Sequence, residues 1–186
     1  MNQVVNSVVR VAIIPARSGS VGLTNKNILP VSNKLLIDYT IDAALQSGLF
    51  DKIIISTNIE KLLDRTSTSL IEYHARDAKL CTSEAGMLDV VNWLIKKNSV
   101  FDAAHYFCLL QPTSPLRDAK DIIDSWKALE RANADACISV CEPKQHPLKS
   151  LVLKDDLGHV GPLDEKSFSS NRQSLIHCVY PTGGVS

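Results

Sequence analysis

Residues 17 to 27 read Arg-Ser-Gly-Ser-Val-Gly-Leu-Thr-Asn-Lys-Asn, two cations set among small and amide-bearing side chains. At the end of a strand, such a loop can turn several backbone N–H groups toward one anion while Arg17 and Lys26 add charge. Ser18, Gly19, Ser20 and Gly22 form the candidate cradle, Asn27 adjoins it, and the chemistry suggested is that of a nucleotide phosphate. The competing reading is an ordinary Gly/Ser turn. A second polar loop, Gln111-Pro112-Thr113-Ser114-Pro115, carries two prolines that stop strand and helix alike.

The flanking elements have to bring these loops together. Residues 8 to 14 are apolar or β-branched at nearly every position, Arg10 excepted, the pattern of a central parallel strand covered on both faces, with a turn at Pro15. Further strands are expected at 52 to 56, at 70 to 74 (a weaker run), at 105 to 110 and at 136 to 140. Helices are expected over 35 to 47, stopped by Gly48, and over 59 to 66, capped by Thr57 and Asn58. Another begins near Ser83 and Glu84 with the stripe Met87, Val90, Val91, Leu94 and Ile95, and the last spans 118 to 132 with Ile122, Ile123, Trp126 and Leu129 inward. Five strand and helix alternations predict an α/β fold, a Rossmann-like doubly wound and mostly parallel sheet. In such a sheet both polar loops, and Arg76 after the third strand, lie beyond the carboxyl ends of the strands.

After Val140 the composition turns to Pro, Asp, Lys, Ser and Gly. Residues 142 to 175 are read as a lid or dimerisation arm, with a hairpin over 149 to 160 turning through Asp155 to Gly158. The chain of 186 residues, 45% hydrophobic, is expected to form one domain. Twenty basic and twenty acidic residues cancel, which removes the electrostatic footprint of a general nucleic-acid binder. Five scattered cysteines (Cys81, Cys108, Cys137, Cys141, Cys178) read as reduced, mostly buried thiols of a cytoplasmic protein. Arg10 interrupts the apolar start of the chain, so no signal peptide is expected, and no apolar run is long enough to span a bilayer.

Four strings, in order, resemble the acylneuraminate (sialic acid) cytidylyltransferases: IIPARSGSVGLTNKN (13 to 27), LLQPTSPLR (109 to 117), QHPLK (145 to 149) and NRQSL (171 to 175). FDKIIISTN (50 to 58) and ARDAKLCTSE (75 to 84) support them more weakly. The resemblance implies a fold of the nucleotide-diphospho-sugar transferase type, with a protruding dimerisation arm that begins at His146 to Lys149 and makes a homodimer. It implies an enzyme that joins CTP and a free nine-carbon sugar acid into a CMP-activated nonulosonic acid and pyrophosphate, with Mg2+. Arg17 and Lys26 then match the catalytic cations on the triphosphate. Ser18, Gly19, Ser20, Gly22 and Asn27 match nucleotide contacts, and Arg76 matches the arginine that reads the cytosine edge. Gln111 and Ser114 match the sugar side. Sialic, pseudaminic and legionaminic acids all fall within the implied substrate class; the shorter 3-deoxy-manno-octulosonate fits less well.

The chain departs from the family pattern in four places. Val21 stands where the loop usually has a lysine, and Ser83 where an aspartate is usual, with Glu84 beside it. Tyr180-Pro181-Thr182-Gly183 replaces Arg-Pro-Asn-Gly, and no Asp-x-Asp metal pair occurs, so no metal-ligating residue is assigned. The expectation is therefore a domain lacking the family's C-terminal part. The competing reading is a truncated or degenerate relative that binds nucleotide or dimerises without turnover.

Overall fold

The computed structural model describes residues 8–19, 23–171 and 174–185. The chain divides into two compact units, one formed by residues up to Ile138 together with the last residues from Gly183, the other by Ser139–Thr182.

The first unit is built on β1 (Arg10–Ala16), which is buried from Val11 onward. A short hairpin, β2 (Pro30–Val31) and β3 (Lys34–Leu35), leads into α1 (Leu36–Ser47), which ends at Gly48 with φ 62°. That left-handed cap is the conformation for which a residue without a Cβ is suited. β4 (Lys52–Thr57), α2 (Glu60–Leu63), β5 (Ile71–Ala75), α3 (Met87–Lys97), β6 (Tyr106–Leu109) and α4 (Ala119–Ala132) follow. The four long strands form one parallel sheet in the order β5-β4-β1-β6.

The near-continuous apolar runs are explained by the two faces of this sheet. Ala12, Ile14 and Ala16 pack with Ile53 and Ile55 against Ile37 and Ile41 of α1 and Ile122 of α4. The alternate residues Val11, Ile13 and Ile54 pack against Val90, Val91 and Leu94 of α3. A strand covered on both sides needs apolar residues at every position, so period-two alternation disappears. The α3 stripe is narrower than expected, since Met87 and Ile95 are more than a third exposed.

Several boundaries differ from expectation. Pro15 does not turn the chain: β1 continues to Ala16, pairing Pro15 with Ser56 of β4. The β6 side of the ladder ends where Leu110 N–H meets the Ile13 carbonyl, so the donor that Pro15 lacks would point past the end of β6. α2 is shorter than the expected helix and has no side-chain cap. α3 starts at Met87 rather than near Ser83, because Gly86 is its cap and donates its N–H to Asp89 at 3.1 Å. The expected fifth strand is absent from the parallel sheet. Instead Asp135, Ala136 and Cys137 line a mostly apolar cavity of about 460 Å³ together with Tyr106, Phe107 and Trp126. This cavity lies toward the amino ends of β1 and β6, away from the polar loops.

In the second unit β7 (Val140–Cys141) pairs antiparallel with β10 (Tyr180–Pro181). β8 (Leu151–Leu153) and β9 (Val160–Pro162) form the expected hairpin, with Gly158 at φ 88° in its turn, and α5 spans Glu165–Ser169. No described residue of this unit is fully buried, and Leu153, Leu157 and Ile176 are more than 70% exposed. The cysteines are also less covered than expected: Cys141 is exposed and the other four are only half-buried.

Candidate functional site

The order β5-β4-β1-β6 reverses direction between β1 and β6, the position where open α/β sheets bind ligands beyond their carboxyl ends. The first polar loop leaves β1 at Arg17, and the Gln111 loop leaves β6 beside it. The adjacent ends of β4 and β5 contribute Ser56 to Asn58 and Arg76 to Cys81.

Arg17 is half-buried, and its Nη1 donates to the carbonyls of Gly19 and Cys81, both at 3.3 Å. Gly19 sits at φ 69°, a backbone state that disfavours a side chain. Asn27 is buried and donates from Nδ2 to the Arg17 carbonyl at 3.0 Å, which ties the loop's far end back to the strand exit. Lys26 is half-buried in the turn Lys26–Ile28, after Asn25 at φ 51°. Ser20, Val21 and Gly22 lie outside the described residues, as do Arg172 and Gln173 of the fourth family string.

Arg76 is buried, with 7% of its surface exposed. Its Nε donates to Ser56 Oγ at 3.1 Å and its Nη2 to the Ser56 carbonyl at 2.8 Å. Arg76 makes no ion pair with the adjacent Asp77, whose carboxylate accepts from Lys79 N–H. Burial lowers the Arg76 pKa, Cys81 offsets this, and the charge of Arg17 lowers it further. Burial raises the pKa of Cys81, and both Arg76 and Arg17 pull it down. The Arg17 bond to the Cys81 carbonyl brings the end of β1 against the segment that follows β5. Among the described residues, none of Arg17, Lys26 and Arg76 has a carboxylate ion-pair partner; the basic residues that do are elsewhere.

At the end of β6, Gln111 packs its side chain on Gly183: a Cβ there would come within 3.4 Å of it, and φ is 66°. Gln111 and Ser114 side chains make no hydrogen bond to a described residue. The loop is held by Arg117, which reasoning from sequence had given no role. Its guanidinium is buried and donates to the Gln111 carbonyl at 3.2 Å, to Thr40 Oγ1 at 2.6 Å and to the Gly184 carbonyl. Burial lowers the Arg117 pKa. Asp118 then caps α4 reciprocally with Asp121, fixing the exit of the loop.

Asn58 was also missed, having been read as a helix cap. Its Oδ1 accepts from Ser18 N–H at 2.8 Å and its Nδ2 donates to Ser18 Oγ at 2.8 Å. The Ser18 N–H is thus already committed to Asn58. The available signal was the string Ser56-Thr57-Asn58, small polar residues directly after an apolar strand.

Among the described residues no three His, Cys, Asp or Glu side chains gather as a metal site. The strand ends present cations, amides and hydroxyls, and the carboxylate in the segments named above is Asp77, whose Oδ1 accepts from Lys79 N–H at 2.9 Å. A magnesium ion there would depend on substrate phosphates for most of its oxygen ligands. The groups present are suited to holding a polyanion. No helix among the described residues is long and apolar enough to cross a membrane.

A parallel doubly wound sheet with cation-bearing loops at its switch point is an architecture that open α/β proteins use to hold anionic ligands. The chain belongs to the cytidylyltransferase family, whose model matches residues 11–159. It is 33% identical over 175 residues to an N-acylneuraminate cytidylyltransferase of Escherichia coli, a match covering 94% of this chain and 41% of that protein. It is 28% identical over 180 residues to a pseudaminic acid cytidylyltransferase of Campylobacter jejuni, covering 92% and 74%. The fold is shared with the 2-C-methyl-D-erythritol 4-phosphate cytidylyltransferase of Francisella tularensis, at TM-score 0.61 and 15% identity over 95% of this chain and 71% of that one. The chain thus spans less than half the length of the Escherichia coli relative.

Proposed function

We propose that this protein is a nucleotidyltransferase that takes CTP and a free nine-carbon sugar acid to a CMP-activated nonulosonic acid and pyrophosphate. The observation that carries the reading is the convergence of Arg17 and Arg76, without carboxylate partners among the described residues, beside a glycine-containing loop at the sheet's switch point. The sequence likeness to sialic and pseudaminic acid enzymes supplies the substrate class.

In this reading Arg17 and Lys26 hold the triphosphate, with Gly19, Ser20 and Gly22 around it and Asn27 bracing the loop from below. Arg76, immobilised on Ser56, offers its remaining N–H to the carbonyl oxygen or ring nitrogen of cytosine, both acceptors. Gln111 and Ser114, whose side chains are not used internally, face the sugar acid. The anomeric hydroxyl oxygen forms a bond to the α-phosphorus and releases its proton to water, while the bond from the α-phosphorus to the bridging oxygen of the β-phosphate breaks and its electron pair leaves with pyrophosphate. Arg17 and Lys26 stabilise the charge that builds on these oxygens and carry no proton. Magnesium belongs to the proposal as an ion arriving on the triphosphate, and no step is assigned to it.

The exposed leucines of Ser139–Thr182 support reading that unit as the arm of a homodimer, and a cytoplasmic site of action follows from the use of CTP. The test is incubation with CTP, magnesium and N-acetylneuraminic or pseudaminic acid, with pyrophosphate measured and CTP binding followed by calorimetry. Release that depends on both substrates is expected. CTP binding without turnover at high protein concentration favours the non-catalytic relative, and no CTP binding overturns the proposal.

A further inference from the structure

Ser18 and Asn58 are bound to each other twice, and the direction of both bonds is determined by chemistry. A backbone N–H can only donate, so the Asn58 atom 2.8 Å from Ser18 N is the carbonyl oxygen. The other end of the amide is then the NH2 group, which donates to Ser18 Oγ at 2.8 Å. The hydroxyl oxygen accepts in this contact, so its one proton is left to donate elsewhere, and it has no acceptor among the described residues. The neighbouring Arg17 side chain points charge into the same loop.

We propose that Asn58 is a positioning residue that withdraws the Ser18 N–H from the anion cradle and frees the Ser18 hydroxyl proton to donate to a phosphate oxygen. This rests on the nucleotide reading above and adds a donor that the loop's glycines cannot supply. It also explains why an amide, and not a carboxylate, suits position 58. An aspartate would accept from both the N–H and the O–H of Ser18, consuming the hydroxyl proton and adding negative charge beside the phosphate.

The experiment measures CTP and pyrophosphate affinity by calorimetry for the wild type, Ser18→Ala, Asn58→Ala, the double variant and Asn58→Asp, with melting temperatures taken without ligand. Ser18→Ala and Asn58→Ala are each expected to weaken both ligands by about tenfold, the loss of one hydrogen bond to a charged acceptor. The double variant is expected to lie within about twofold of the weaker single, because both act through one hydroxyl. Asn58→Asp keeps the side-chain volume and is expected to lose more than tenfold. Single effects that multiply, or Asn58→Asp binding pyrophosphate as the wild type does, overturn the proposal, as does a fall in melting temperature with unchanged affinity. A wild type that binds neither ligand overturns this inference and the proposed function together, whereas wild-type binding with unaffected variants overturns this inference alone.

Discussion

Replacing Arg76 by methionine separates a structural from a recognition role for a buried cation. In the structure Arg76 is 7% exposed, and its guanidinium makes two hydrogen bonds to Ser56 and has no carboxylate partner among the described residues. Removing it forfeits two bonds from a charged donor, roughly 1.5–3 kcal/mol each. It also relieves the desolvation of an unpaired charge, a cost of about several kcal/mol per ion. The two nearly cancel, so the folded state is expected to change by no more than about 2 kcal/mol, a shift of at most about 8 °C in melting temperature for a chain of this length. Binding has no such cancellation. One hydrogen bond from a charged donor to cytosine, about 1.5–3 kcal/mol, corresponds to a loss of roughly 10- to 150-fold in CTP affinity. Calorimetric titration with CTP and UTP, beside scanning calorimetry of the free protein, measures both. A variant with CTP affinity within about threefold of the wild type refutes the assignment; a loss confined to CTP points to the ring nitrogen, an acceptor in cytosine but not in uracil, and an equal loss for UTP points to the carbonyl that both bases carry.

Arg117→Lys is expected to destabilise the protein by about 1–3 kcal/mol, because an ammonium cannot span the Gln111, Gly184 and Thr40 acceptors together; an unchanged melting temperature counts against the clamp. The Asp155 carboxyl, held below its ordinary value of 3.8 first by the His159 side chain and further by backbone donors, stabilises the hairpin turn above that pH. The contribution is lost as pH falls below 3.8 through the folded-state value, and the carboxyl resonance is expected to titrate below 3.8 and to move back up in His159→Ala. A midpoint at or above 3.8 in the wild type contradicts the contact.

The sequence by itself determined the sheet and the loops that matter. Runs such as Val11 to Ile14 and Ile53 to Ile55 are apolar at every position, which only a strand covered on both faces requires, and the short connections then constrain the parallel order. The placement of Arg17 and Arg76 at strand ends was legible because each directly follows an apolar-rich run that the sheet uses as a strand. Only the tertiary structure decided which of the loop's donors are already committed. The Asn58 clamp on Ser18, the Ser56 seat of Arg76 and the bonds of Arg117 to Gly184 and Thr40 join residues 20 to 77 positions apart, and local pattern carries no information about such pairings. The extent of β1 through Pro15 was hidden for a related reason: whether a missing N–H matters depends on where the neighbouring strand stops, and that is a property of the sheet.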